Sequence, residues 1–215
     1  MPDLEFRVDG AAPVAYCTTP TLGFKLYISN SSEEAIQSVA LNCQVRIEAQ
    51  RRRYGAGEKE RLLELFGEPP RWSQTLRSLL WTHVGVNVHG FVGSTVLELP
   101  VTCTYDFNVL SAKYFHALDG EDVPVLLLFS GTIFFTDSDG QLQIQMISWN
   151  KEASYKLPVA VWRSMMEMYY PNTAWLALRR DVVERLELYK ARSGLVTWEQ
   201  TLESLLPGEP EKVAG

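Results

Sequence analysis

The sequence is poor in the residues that most often build catalytic and metal centres. Among its 215 residues there are three cysteines and three histidines. Cys17, Cys43 and Cys103 are odd in number and far apart, which excludes a paired disulfide framework and a CxxC metal knuckle. We therefore expect free thiols in a reducing compartment, most simply the cytoplasm.

Long apolar runs and an excess of positive charge are missing as well. The longest apolar stretch, residues 123–135, has thirteen residues and is too short to cross a bilayer as a helix. The opening MPDLEFRVDG has no basic start followed by an apolar run, as a secretion signal would. A formal charge of −6 disfavours general affinity for nucleic acid or anionic lipid. We expect neither nucleic acid nor a membrane as a partner.

The strong motifs for common reactions do not occur either. The sequence contains no GxGxxG, Walker loop, GxSxG elbow or HExxH, so nucleotide binding, acyl transfer and zinc hydrolysis have no recognisable signature. We assign no catalytic residue, no cofactor and no metal ligand. An enzyme with a Cys/His/Asp site assembled in space stays open as a third hypothesis.

Alternation of apolar and polar residues dominates the first 150 positions. Residues 4–8, 21–30 and 38–50 have apolar side chains at every second position, which is typical of half-buried strands. Residues 123–149 predict a hairpin around the loop Asp137–Gly140, in which glutamines alternate with Leu142, Ile144 and Met146. The pattern predicts an α+β fold with an antiparallel β-sandwich-like sheet.

Helical spacing interrupts and then follows the strands. A short helical insertion is expected at about 57–80, and two to three C-terminal helices should pack on the sheet. We predict a single domain over 1–206 and a disordered tail over 207–215. The triplet Arg51–Arg53, just before the insertion, could bind a phosphate or an acidic partner, or simply form a solvated turn.

Two histidines share one strand-like stretch, WTHVGVNVHGF. His83 and His89 lie on the same side, but at the rise of a strand they are roughly 20 Å apart. One metal ion cannot be bound by both, because zinc–nitrogen distances are about 2 Å. His116 lies between Phe115 and Ala117, a context that favours a packed imidazole. A metal- or cofactor-handling protein that uses His83, His89, His116 and the cysteines stays open as an alternative function.

The segment MMEMYYPNTAW is dense in methionine and aromatic side chains, which adapt to varied partner surfaces. We therefore predict a partner-binding set within it; the alternative is that these residues fill the seam between helices and sheet. The set comprises Met165, Met168, Tyr169, Tyr170 and Trp175.

Nearly the whole chain resembles a known bacterial family. CQVRIEAQRRRY, LWTHVGVNVHGFVGST and WNKEASYKLPVAVWRSMMEMYYPNTAWL carry the resemblance to a largely actinobacterial family, domain of unknown function 6084. Genes of that family tend to lie in clusters for nickel–iron hydrogenases and their maturation factors. In the order of its elements, the C-terminal half is also similar to the export chaperone SecB, matched at Pro171 and Asn172.

The resemblance implies a function class but no functional residues. It implies a non-catalytic, chaperone-like accessory or assembly protein that binds a protein partner, such as a hydrogenase subunit or maturation factor. A homo-oligomer is an open alternative for the assembly state.

Overall fold

The computed structural model of the chain describes residues 1–103, 109–173 and 178–206. Trp175 and the predicted tail over 207–215 lie outside the described residues. The chain divides into two compact units, Met1–Asn172 and Thr173–Gly215. A single domain over 1–206 stays a prediction.

The first unit contains two antiparallel sheets. One has the order β1-β2-β5, and the other has the order β4-β3-β6-β7 with β8 also paired to β6. Because β3 occupies one edge of β6, β7 and β8 follow each other along its other edge. The strands are β1 (Leu4–Pro13), β2 (Thr21–Asn30), β3 (Ala35–Ile47), β4 (Leu79–Phe91), β5 (Ser94–Thr102), β6 (Asp122–Thr136), β7 (Leu142–Met146) and β8 (Glu152–Pro158).

The apolar sides of the two sheets form one core. Phe6 of β1 stacks on Phe129 of β6 with ring centroids 4.2 Å apart. Phe24 of β2 meets Trp81 of β4 and Tyr155 of β8 edge-on, at 6.3 and 5.9 Å. These contacts join strands of different sheets, as expected for sheets packed face to face in a sandwich-like arrangement. The predicted α+β class is confirmed.

One glycine sets how closely β3 and β6 approach. Gly131 has φ of +141°, a backbone conformation that residues with a side chain rarely adopt. A Cβ at this position would collide with the carbonyl oxygen of Ala40. Any larger residue would therefore push the two central strands of the sheet apart.

Short helices follow β3, precede β6 and follow β8. The insertion after β3 contains α1 (Ala56–Arg61), α2 (Leu63–Phe66) and α3 (Trp72–Thr75), which confirms the helical insertion predicted at about 57–80. The next two helices are α4 (Val109–His116) and α5 (Val159–Tyr169). Leu62 and Phe66 are buried, and the Phe66 ring meets Tyr114 of α4 edge-on. The helix α5 packs on β1, β2 and β8. Helices therefore extend the core that the sheets begin.

The second unit contains α6 (Arg180–Arg192) and α7 (Trp198–Glu203). Thr197 accepts a hydrogen bond from the backbone N–H of Gln200, and the Gln200 side chain accepts from the backbone N–H of Thr197, so the two residues form a capping box at the start of α7. Lys190 lies 5.7 Å from the centre of the Trp198 ring and so connects the two helices. Within the described ranges, no helix has the length and apolar character needed to cross a membrane.

Candidate functional site

The partner-binding set predicted around α5 is divided between core and surface. Met165 is fully buried, whereas Met168 is 52% exposed. The hydroxyl of Tyr169 donates to the carbonyl of Val14 at 2.7 Å, so this ring fixes the turn after β1. Tyr170 is half-buried. Met165 is therefore not accessible to a partner. It lies on the same buried side of α5 as Trp162, three residues earlier in the helix.

The three histidines do not converge. His83 and His89 project from the exposed side of β4, as their alternation predicted. His83 hydrogen-bonds Gln44 at 2.9 Å, and His116 packs edge-on against Trp162 with ring centroids 4.9 Å apart. Burial lowers the pKa of His116. Within the described parts of the chain, no three His, Cys, Asp or Glu side chains are grouped as metal ligands.

Two cysteines belong to the core. Cys43 and Cys103 are 1% and 7% exposed, and burial raises the pKa of each thiol to about 12. Since the thiolate is the nucleophile, neither sulfur is activated at neutral pH. Both cysteines pack in the interior of the sandwich as small apolar residues.

The arginine triplet is not a uniform contact surface. Arg52 is buried and forms a bidentate ion pair with Glu58 at 2.8 and 2.9 Å, while its guanidinium also donates to the Gly120 carbonyl at 2.6 Å. Arg51 lies at the surface, 3.4 Å from Glu48, and Arg53 is exposed. The central arginine therefore connects the insertion to the segment before β6.

The most apolar exposed surface on a strand of the first unit lies on β7. Leu142, Ile144 and Met146 are 63%, 65% and 66% exposed and point to one side; we call these three residues the β7 strip. The glutamines between them face the other side, where the amide of Gln145 donates to the Pro2 carbonyl and its Oε1 is buried with no partner in the described structure. This is the reverse of the usual rule, in which apolar residues face inward.

The backbone of the β7 strip also faces away from the sheet. The backbone N–H of Ile147 donates to the carbonyl of Gly131 at 2.9 Å, and the backbone N–H of Asp137 donates to the carbonyl of Gln141 at 3.0 Å. Antiparallel strands alternate between residues that bond a neighbour and residues that face away from it. Odd-numbered residues therefore bond β6, and the N–H and C=O groups of the β7 strip point outward. No described residue pairs with this outer edge.

The other strands at sheet edges carry features that discourage pairing. In contrast, β7 has no charged residue and no proline, and its five residues pair with β6 in unbroken register. The other edge strands have the following features that discourage pairing. The pairing of β1 with β2 has a register shift, and β1 carries three charged residues; β5 contains Glu98 and Pro100; the pairing of β4 with β3 has a register shift; and β8 contains Glu152 and Lys156.

An acidic cleft of about 850 Å³ opens at the start of β7. It contains three carboxylates, of which Glu34 pairs with the amino group of Met1 at 2.6 Å. Hydrogen bonds from the Gln141 N–H and the Gln143 amide lower the pKa of Asp137, which keeps this carboxylate charged. The cleft is lined by Met1, Ser32, Glu33, Glu34, Ala35, Phe135, Thr136, Asp137, Ser138 and Gln143.

The strand β7 is predictable from the sequence, but the exposure of its apolar side is not. Alternation separates two sides of a strand without stating which side meets the core. A signal was present in residues 141–150, QLQIQMISWN, which contain no charged residue. Trp149, just after β7, is 93% exposed and extends this uncharged surface stretch.

Comparisons with known proteins give a family. The model of the family of unknown function DUF6084 matches residues 1–214. No curated protein matches the chain. Among solved structures, a selenomethionine-labelled beta-glucosidase from Kluyveromyces marxianus is similar over 72% of this chain and 15% of that chain, with 12% identity and a TM-score of 0.27.

Proposed function

We propose that this chain, which belongs to the family of unknown function DUF6084, is a non-catalytic accessory protein that binds another protein along the β7 strip. The observation that carries the proposal is the coincidence of exposed apolar side chains and outward backbone groups on one uncharged edge strand. Such an edge is a ready template for another chain.

The size of the apolar contribution supports binding by this edge. Burying a large aliphatic side chain is worth about 1.5–3 kcal/mol, and each member of the β7 strip is still about two-thirds exposed. Covering all three would therefore contribute on the order of 3–6 kcal/mol before the costs of association. Backbone hydrogen bonds along the edge add directionality to that contribution.

The buried thiols support binding over covalent catalysis. A nucleophilic cysteine needs a lowered pKa and access to substrate, whereas Cys43 and Cys103 have neither.

We propose a subunit or a maturation intermediate of a nickel–iron hydrogenase as the partner, with the cytoplasm as the place of binding. This assignment is based on the gene clusters that the family resemblance implies. It makes the chain a chaperone-like assembly factor, for which exposed apolar surface on a partner-free protein is expected.

The test is capture of the partner from the native host. Tagged wild-type protein should recover a hydrogenase subunit or maturation factor, identified by mass spectrometry, and Ile144→Lys should recover much less of it. Val96→Lys is the matched control, because Val96 is also an exposed aliphatic residue, 49% exposed, on the edge strand β5. Equal recovery by all three proteins, or no hydrogenase protein in any of them, would contradict the proposal.

A further inference from the structure

We propose that β7 takes up one extended segment of a partner protein as an additional antiparallel strand. The segment carries apolar side chains at every second position, followed on its C-terminal side by lysine or arginine. This inference rests on the proposed function and names the chemistry of the partner that the β7 strip recognises.

The spacing of apolar residues follows from the geometry of β7. Leu142, Ile144 and Met146 present both their side chains and their free backbone groups to an arriving strand. Residues directly opposite each other in an antiparallel pair have side chains on the same side of the sheet. A segment bonded to this edge therefore places every second side chain against the β7 strip, and those side chains must be apolar to cover it.

The direction of the segment follows from charge. The acidic cleft adjoins Gln143 and the loop before β7, so it lies at the N-terminal end of this strand. Within it, Glu33 is exposed and Asp137 is kept ionised, and the Met1 amino group is already held by Glu34. A segment antiparallel to β7 ends its pairing beside the cleft, so its C-terminal flank meets these carboxylates. Cations are favoured there.

The other end of β7 has a different charge arrangement. Lys151 pairs with Asp3 at 2.7 Å and with Glu5 at 2.6 Å, so a cation already lies between the carboxylates there. A lysine or arginine on the N-terminal side of the segment would therefore meet two carboxylates that already pair with Lys151. The formal charge of −6 on the whole chain also disfavours an acidic segment.

Binding can be measured by fluorescence anisotropy with three labelled octapeptides. In each, valine and threonine alternate over six positions; two lysines follow in the first, two lysines precede in the second, and two glutamates follow in the third. Wild-type protein should bind the first peptide about tenfold more tightly than the second and more tightly still than the third.

Substitutions in β7 separate the backbone contribution from the side-chain contribution. Ile144→Ser removes the apolar side chain but keeps the outward N–H, and Ile144→Pro removes both. Neither change breaks the ladder to β6, because residue 144 does not bond β6. We expect Ile144→Ser to weaken the first peptide about tenfold and Ile144→Pro to weaken it further. Val96→Ser is the control and should bind as wild type does.

A change in the cleft tests the charge argument. Glu33→Gln should weaken the first peptide and leave a variant peptide without lysines unaffected. Circular dichroism and thermal melting of every variant establish that it is folded, and Ile144→Lys provides a second surface variant should proline perturb the strand.

Three results would overturn the inference. One is equal binding of all three peptides, and another is binding that Ile144→Pro and Ile144→Lys leave unchanged. The third is a wild-type dimer, seen by analytical ultracentrifugation, that Ile144→Lys dissociates while no peptide binds; the occupant of β7 is then a second copy of this chain. Should Ile144→Lys lose the hydrogenase protein while wild type binds all three peptides equally, binding along the β7 strip survives and only this mode of recognition fails.

Discussion

Replacing Glu58 by glutamine removes the charge that balances a buried guanidinium. The side chains of Arg52 and Glu58 are 3% and 6% exposed, and the carboxylate also accepts N–H groups from Gly55 at 3.0 Å and Asp119 at 2.9 Å. An uncompensated buried charge is expensive, and breaking one partner of such a pair typically costs about 3–5 kcal/mol. We therefore expect Glu58→Gln to be strongly destabilised at neutral pH.

The pKa of Glu58 gives a second measure of the same effect. Burial alone would raise it, but the hydrogen bonds from Arg52, Asp119 and Gly55 outweigh burial and lower it from 4.5 to about 2. Each tenfold change in proton affinity is worth about 1.4 kcal/mol, so the charged carboxylate contributes about 3–4 kcal/mol of stability at neutral pH. The contribution is present above pH 4.5 and is lost as the pH falls towards 2.

Urea unfolding at several pH values between 7 and 3 measures this difference. The free energy of unfolding of the wild type should exceed that of Glu58→Gln by about 2–5 kcal/mol at pH 7, and the gap should narrow below pH 4.5. Arg51→Met is the control: Arg51 is 62% exposed, and its pair with Glu48 should be worth less than about 1 kcal/mol. A loss for Glu58→Gln as small as that for Arg51→Met, with no dependence on pH, would show that the buried pair of Arg52 and Glu58 contributes little to stability.

Three further predictions test the core. The thiols of Cys43 and Cys103 should not react with a disulfide reagent in the native protein at pH 7.5, and all three cysteines of the chain should react after unfolding, because burial keeps those two protonated. Gly131→Ala should lower the free energy of unfolding by more than about 2 kcal/mol, measured by urea titration. Phe129→Ala should cost about 3–5 kcal/mol in the same assay, because it empties the space against Phe6 between the sheets.

Each of these has a clear contrary outcome. Rapid modification of more than one thiol in the native state would show that the sandwich interior is open to reagents. A fully stable Gly131→Ala would mean that β3 and β6 can separate at little cost. A loss for Phe129→Ala no larger than that of a surface substitution would place this ring outside the core.

The strands could be predicted because their chemistry is local. The strand predicted over residues 21–30 is confirmed by β2, and that predicted over residues 38–50 is confirmed by β3 as far as Ile47, with Cys43 on its buried side. The loop Asp137–Gly140 is confirmed by the carboxylate of Asp137, which accepts the N–H groups of Asp139 and Gln141. Short-range patterns of this kind do not depend on what the rest of the chain does.

The surface of β7 and the role of Arg52 depend on distant residues and could not be predicted. Alternation shows that one side of residues 142–146 is apolar, but the pairing with β6 decides that this side faces out. Arg52 lies between two arginines that are exposed, and only the fold brings it to Glu58 and Gly120. The burial of Met165 could not be predicted either. Helical spacing shows that one side of α5 is apolar, but it does not show whether that side packs on the core or binds a partner.

Residue-resolved amide hydrogen exchange measures whether the outer edge of β7 is unpaired in the free protein and paired in a complex. In the free protein, the amides of Leu142, Ile144 and Met146 should exchange rapidly while those of Gln143 and Gln145 are protected by β6. With the lysine-ended peptide or the captured partner bound, all five should be protected. Rapid exchange of the outward amides in the complex, or their protection in the free protein at low concentration, would show that β7 does not take up a partner strand.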